Sequence, residues 1–156
     1  MEPSRAISMR TSLKLPTGDS QQLHGRGSTD LSLWITAGED FRPGIGPITL
    51  FGAGGVMGIT GGDVLKDQQR NWVGFGVLGL GWSPARWVAL KIQANGHTSF
   101  YKNSGLAELN GSSVQLTIGG TLAFSKNIAL DFGFTEDLLI RTSPDVVFHL
   151  ALRGTF

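Results

Sequence analysis

The C-terminal stretch Asp145–Phe156, DVVFHLALRGTF, decides how this chain is read. Val146, Phe148, Leu150, Leu152 and Phe156 place apolar residues at almost every second position, while Val147, His149, Ala151, Arg153 and Thr155 fill the alternate set. Successive side chains leave a β-strand on opposite sides, so a period of two marks a strand with two unlike faces. What matters next is whether the apolar face meets a protein core or lipid.

The same period recurs upstream, between clusters of Gly, Pro, Asn, Asp and Ser that punctuate strands. Near residues 6–15, Ile7, Met9, Leu13 and Leu15 oppose Ser8, Arg10, Ser12 and Lys14. Near 29–38, Leu31, Leu33 and Ile35 oppose Asp30, Ser32 and Thr36, with Trp34 joining the polar set. PITLFGAGGVMGI, around 47–59, is strand-like but too rich in glycine for its faces to be assigned. Four more strands are expected near 71–82, 86–97, 112–124 and 127–137, and the opening stretch is the eighth. Capped helical patterns are missing, which predicts an all-β chain.

Composition agrees with that class. Glycine makes up 23 of 156 residues and charged residues 16%, against usual shares of roughly 7% and ~25%, so little of the surface is charged. No apolar run approaches the ~18 residues of a membrane helix, a test that alternating barrel strands escape. A net charge of +1 with no Lys/Arg cluster gives no reason to expect nucleic acid. Cysteine is absent, which removes disulfides, thiolate catalysis and zinc–thiolate sites. The start, MEPSRAISMR, has no apolar core of a secretory signal, so an exported protein would be present here as a mature or truncated product.

Connections alternate in length. Counting back from the end they are TEDLLIRTSPD, the tight SKN, the long HTSFYKNSGLAELNGS, the short SPAR, ITGGDVLKDQQR, the middling GEDFRPGIGP and PTGDSQQLHGRGS. Outer-membrane barrels have short turns at one end and longer loops at the other. Parity across the turns then suggests cross-strand partners. Pairing Phe124 with Ile128 sets Thr121 opposite Asp131; pairing Trp82 with Val88 sets Gly79 opposite Lys91; a last loop centred near Ile140 sets Asp131 opposite His149.

These readings predict a single domain over residues 1–156, an antiparallel up-and-down transmembrane β-barrel of about eight strands. Its interior would hold a polar network of Arg10, Lys91, Gln93, Asp131, His149 and Arg153. Its interfacial aromatics would be Trp72, Trp82, Trp87 and Tyr101, and its partner the lipid bilayer. The expected function is structural or porin-like passage of small solutes, without enzymatic chemistry. Two alternatives stand beside it: a soluble lipocalin-like ligand barrel, and a lipid hydrolase using His97 and Ser99 of NGHTS, with Asn103 or Glu108 as an unplaced third group. No catalytic, metal or cofactor residues are expected. His24, His97 and His149 lack metal-ligand spacing, and the glycine-containing loops lack a phosphate-loop ending.

The segments SLKLPTGD, GSTDLSLW, LGLGWSP, LKIQANGHTSFY, VQLTIGGTLAFS and ALDFGFTEDLLIRTSPDVVFHLALRGTF together resemble an uncharacterised bacterial outer-membrane β-barrel family, a domain of unknown function. The likeness runs from about Ser12 to Phe156, and FTEDLLIRTSPDVVFHLAL is its most specific part. The resemblance implies a bacterial outer-membrane location. It also implies a C-terminal assembly signal of Phe148, Leu150, Leu152 and Phe156, read by barrel-assembly machinery. Members of that family are longer, with an export signal and further strands ahead of the matched part. The chain is thus expected either to close as eight strands or to form the C-terminal part of a wider barrel.

Overall fold

A computed structural model describes residues 4–18, 20, 22, 24–105, 107–139 and 146–155. Eight strands form one antiparallel sheet in chain order: β1 (Ser4–Lys14), β2 (Asp30–Phe41), β3 (Ile48–Ile59), β4 (Trp72–Ala85), β5 (Val88–His97), β6 (Ser113–Ala123), β7 (Ile128–Asp137) and β8 (Val146–Gly154). The one departure from all-β structure among the described residues is a single helical turn, α1 (Ala107–Asn110), inside the long β5–β6 loop.

Each strand touches only its sequence neighbours, and β1 and β8 make no contact with each other. The sheet is therefore open, which corrects the expectation of a closed barrel. A sheet can lie in hydrocarbon only when every backbone N–H and C=O is paired, and closure is the way a sheet achieves that. With two free edges, the expected transmembrane, porin-like function, the outer-membrane location, and the bilayer and barrel-assembly machinery as partners are corrected as well. Neither edge strand, Ser4–Lys14 or Val146–Gly154, contains an acidic residue. No helix among the described residues is long and apolar enough to cross a membrane.

Register keeps the two faces in phase across all eight strands. Ile7 pairs with Ala37, Met9 with Ile35 and Leu13 with Leu31; at the other end Leu130 pairs with Leu152 and Phe132 with Leu150. These residues form one apolar face that no second layer covers. Ile7 and Phe148 are each 79% exposed and Leu150 73%.

The opposite face has two halves. Over β3 and β4 it is apolar, which settles the glycine-rich β3: Phe51, Ala53, Met57 and Ile59 share this face with Val73 and Phe75 and with Trp34, the one large apolar residue that β2 adds to its otherwise polar set. Trp34 and Phe75 meet edge to face at 5.8 Å above Gly55. The Phe51 ring lies over Gly79, and Ile59 and Val73 are the buried apolar residues. Glycine at 55 and 79 leaves the space that large rings on neighbouring strands occupy. Over β5–β8 the same face is polar.

Turns account for the register. Ser125 Oγ accepts the N–H groups of Asn127 and Ile128 at 3.2 and 3.1 Å, closing the tight β6–β7 turn and pairing Thr121 with Asp131. At the β4–β5 turn a bulge between Trp82 and Ala85 pairs Trp82 with Leu90. Lys91 therefore faces Gly81, in place of the expected Gly79, and Gln93 faces Gly79. Parity survives because the shift is two residues.

The filled space at Gly55 is open to test. A Cβ there would overlap Trp34, the Leu33 carbonyl and the Phe75 ring, whereas a Cβ on Gly54 meets nothing. Gly55→Ala should lower unfolding free energy by about 1–3 kcal/mol in urea melts, with Gly54→Ala close to parent.

Candidate functional site

The described residues of three long connections, 15–29, 60–71 and 98–112, pack together at one end of the sheet. The Asp63 N–H donates to the Arg26 carbonyl at 2.8 Å, Thr60 N–H to the Thr29 carbonyl at 2.9 Å, and Arg70 N–H to the Phe100 carbonyl at 2.9 Å. A bridge joins Gln69 to Tyr101. Here lie the buried polar residues Ser28, Asp30, Gln69, Ser99 and Ser113.

Asp30 is the hub of this end. Its Oδ2 accepts from Arg26 Nη2 at 2.7 Å and pairs with Lys14 Nζ at 3.3 Å, while Arg26 Nε donates to Ser28 Oγ at 2.9 Å. Burial alone would raise the carboxyl's pKa. Hydrogen bonds from Arg26, Ser28 and Lys14, with the Arg26 charge, outweigh it and hold the group below its ordinary value. Lys14 and Asp30 face each other across β1 and β2. Alternation puts both on the polar face, but it does not point to Arg26 or Ser28. The signal was there: Arg26 precedes Asp30 by four residues, in a loop whose glycines let it fold back.

The expected polar network is brought together only in part. Thr121 Oγ1 donates to Asp131 Oδ1 at 2.6 Å, and Arg153 Nη2 reaches the same oxygen at 3.4 Å. Gln93 Nε2 donates to Asn95 Oδ1 at 2.7 Å, next to Lys91, whose Nζ lies 4.8 Å from the centre of the Phe51 ring. His149 faces Gly133 and not Asp131, because the last loop centres one residue later than expected and moves the partner by two. Arg10 stands apart on the free β1 edge, 5.6 Å over the Trp34 ring.

Of the aromatics, Trp72 and Trp87 are exposed at opposite ends of the sheet. Trp82 is half-buried, its Nε1–H donating to the Ile45 carbonyl at 3.0 Å, and Tyr101 belongs to the packed loops. Phe148, Leu150 and Leu152 share the exposed apolar side of β8, while Phe156 falls outside the described residues.

The two residues of the hydrolase alternative are not brought together. His97 Nδ1 lies 3.0 Å from the Thr98 carbonyl and its ring packs on Phe100 at 5.1 Å, with no hydrogen bond to Ser99. Ser99 is itself buried among the loops, and the side chain of Glu108 is not among those described. The lipocalin-like alternative falls with barrel closure, since an open sheet has no enclosed apolar interior. Among the described residues, no cluster of His, Cys, Asp and Glu could hold a metal ion.

The open topology and the in-phase faces bear on what this chain is. A family of proteins of unknown function, DUF3187, matches residues 1–156. The chain belongs to that family. Comparison with curated proteins and with solved structures finds no match.

The Asp30 cluster makes stability depend on acid. Its folded-state pKa lies below the unfolded value, so its contribution is complete above about 3.9 and is lost as pH falls through the folded value. Asp30→Asn should unfold at lower urea than the parent at pH 7, and the difference should shrink in melts taken below about pH 3.9.

Proposed function

We propose that this domain is a non-enzymatic interaction module that accepts an extended strand on its free β1 edge. The observation behind this reading is an eleven-residue edge strand, exposed along its whole length, with no partner on its outer side among the described residues. An unpaired edge presents a row of backbone donors and acceptors, and an added strand satisfies them while side-chain pockets supply selectivity.

Charge chooses the partner. Along one side β1 offers Ile7, Met9 and Leu13, and along the other Arg10 and Lys14, with Arg5 near its start and no acidic residue anywhere in the strand. A matching segment alternates apolar residues with Asp or Glu, so that opposite charges sit across the new strand pair. A second copy of the chain is a poorer match, because both of its free edges are basic. Arg5 and Lys14 already reach Glu39 and Asp30 on β2, which fixes the register of β1 before a partner arrives.

Labelled synthetic peptides test this reading. A peptide alternating Val and Glu should bind the purified chain in fluorescence anisotropy, more weakly as salt is added, and its Val/Lys counterpart should not. Reversing the uncommitted edge charge with Arg10→Glu should shift the preference toward the Lys peptide by about threefold, the change expected from one cross-strand charge pair. No preference between the peptides would overturn the proposal, as would self-association or uptake into lipid vesicles in place of peptide binding.

A further inference from the structure

Beyond the edge, we infer that the polar half of the sheet carries a binding cleft for a small hydroxylated organic anion. A cavity of about 570 Å³ lies on this face across β4–β8, within the ~300–1,000 Å³ usual for small-molecule sites. Its construction follows from register. One cross-strand row runs Gly81, Lys91, Gly119, Gly133, His149. Lys91 and His149 stand at its two sides, three strands apart and about 14 Å at the usual strand spacing, the Lys91 ammonium leaning over β4 toward the Phe51 ring, and the two positions between them have no side chain.

The neighbouring rows form the rims. On one side Thr117 and Thr135 are joined through their hydroxyls at 3.0 Å. On the other, Thr121 is bonded to Asp131, whose charge is also met by Arg153. The floor is enforced at one position and free at the other. A Cβ on Gly119 would collide with the Phe132 carbonyl, whereas one on Gly133 would only touch His149, so the gap at 133 is not required by packing.

The lining selects the ligand. Asp131 already has its cation, but Lys91 has no carboxylate partner among the described residues and only the Phe51 ring beside it. Such an exposed cation–π contact is weaker than a charge-assisted hydrogen bond to an anion. The cleft thus pairs one uncommitted ammonium and an imidazole with threonine hydroxyls along both rims. A monosaccharide-sized carboxylate with several hydroxyls fits that arrangement, while a neutral polyol forgoes the ammonium and a bare carboxylate forgoes the rims.

Calorimetry on the purified 156-residue chain with gluconate, sorbitol and acetate tests the cleft. Gluconate should bind and the other two should bind at least about tenfold more weakly. Lys91→Gln should cost gluconate about tenfold, and Gly133→Val, which fills the floor, should abolish binding. Far-UV CD checks that each variant keeps its sheet. If Gly133→Val does not fold, Thr135→Val is the second probe and should weaken gluconate alone. Absence of gluconate binding, equal binding of sorbitol, or unchanged binding by Lys91→Gln would overturn the inference. Because the cleft and the β1 edge share no residue, failure of peptide binding at the edge is a separate result.

Discussion

Everything in this molecule depends on the two-residue period being kept in phase across seven strand junctions. A slip of one residue at any turn would exchange the faces of every strand beyond it. The turns prevent this with local chemistry: Ser125 bonding back to two N–H groups at the β6–β7 turn, and a bulge ahead of Arg86-Trp87 at the β4–β5 turn. The bulge shows the tolerance of the system, since it alters partners by two residues and leaves the faces unchanged.

The packing that results is unusual for a domain of this size. One face is apolar and uncovered, and the best-buried residues are gathered where the long loops meet and where rings lie over glycines. Hydrophobic burial within the chain is therefore modest, and much apolar surface is left for whatever completes the sheet. The hydrogen-bonded ladder and the Asp30 cluster carry a correspondingly larger share of order. Asp30 ties β1 to β2 and to the loop between them, so one carboxylate anchors the strand that forms the free edge.

Much of this was legible from residues alone. All eight strands lie within a few residues of the positions that alternation predicts, and the pairing of Thr121 with Asp131 follows from the length of the Ser125-Lys126-Asn127 turn. The faces of β3 were not legible, because glycine has no side chain to report its side; its register with β2 and β4, with Trp34 and Phe75 leaning over Gly55, identifies them. The partner of His149 was missed because a long loop does not fix its own centre. Arg26 joined Asp30 through a loop fold that no periodicity encodes.

By itself, then, the amino-acid sequence determined the local properties: which segments are extended, which residues share a face, and how short turns set register. These follow from steric alternation and turn chemistry between neighbours in the chain. Whether β1 meets β8 was decided only by tertiary structure, and an alternating pattern reads the same in an open sheet as in a closed one. Closure rests on the twist and curvature summed over all eight strands. In this protein that sum leaves β1 and β8 apart.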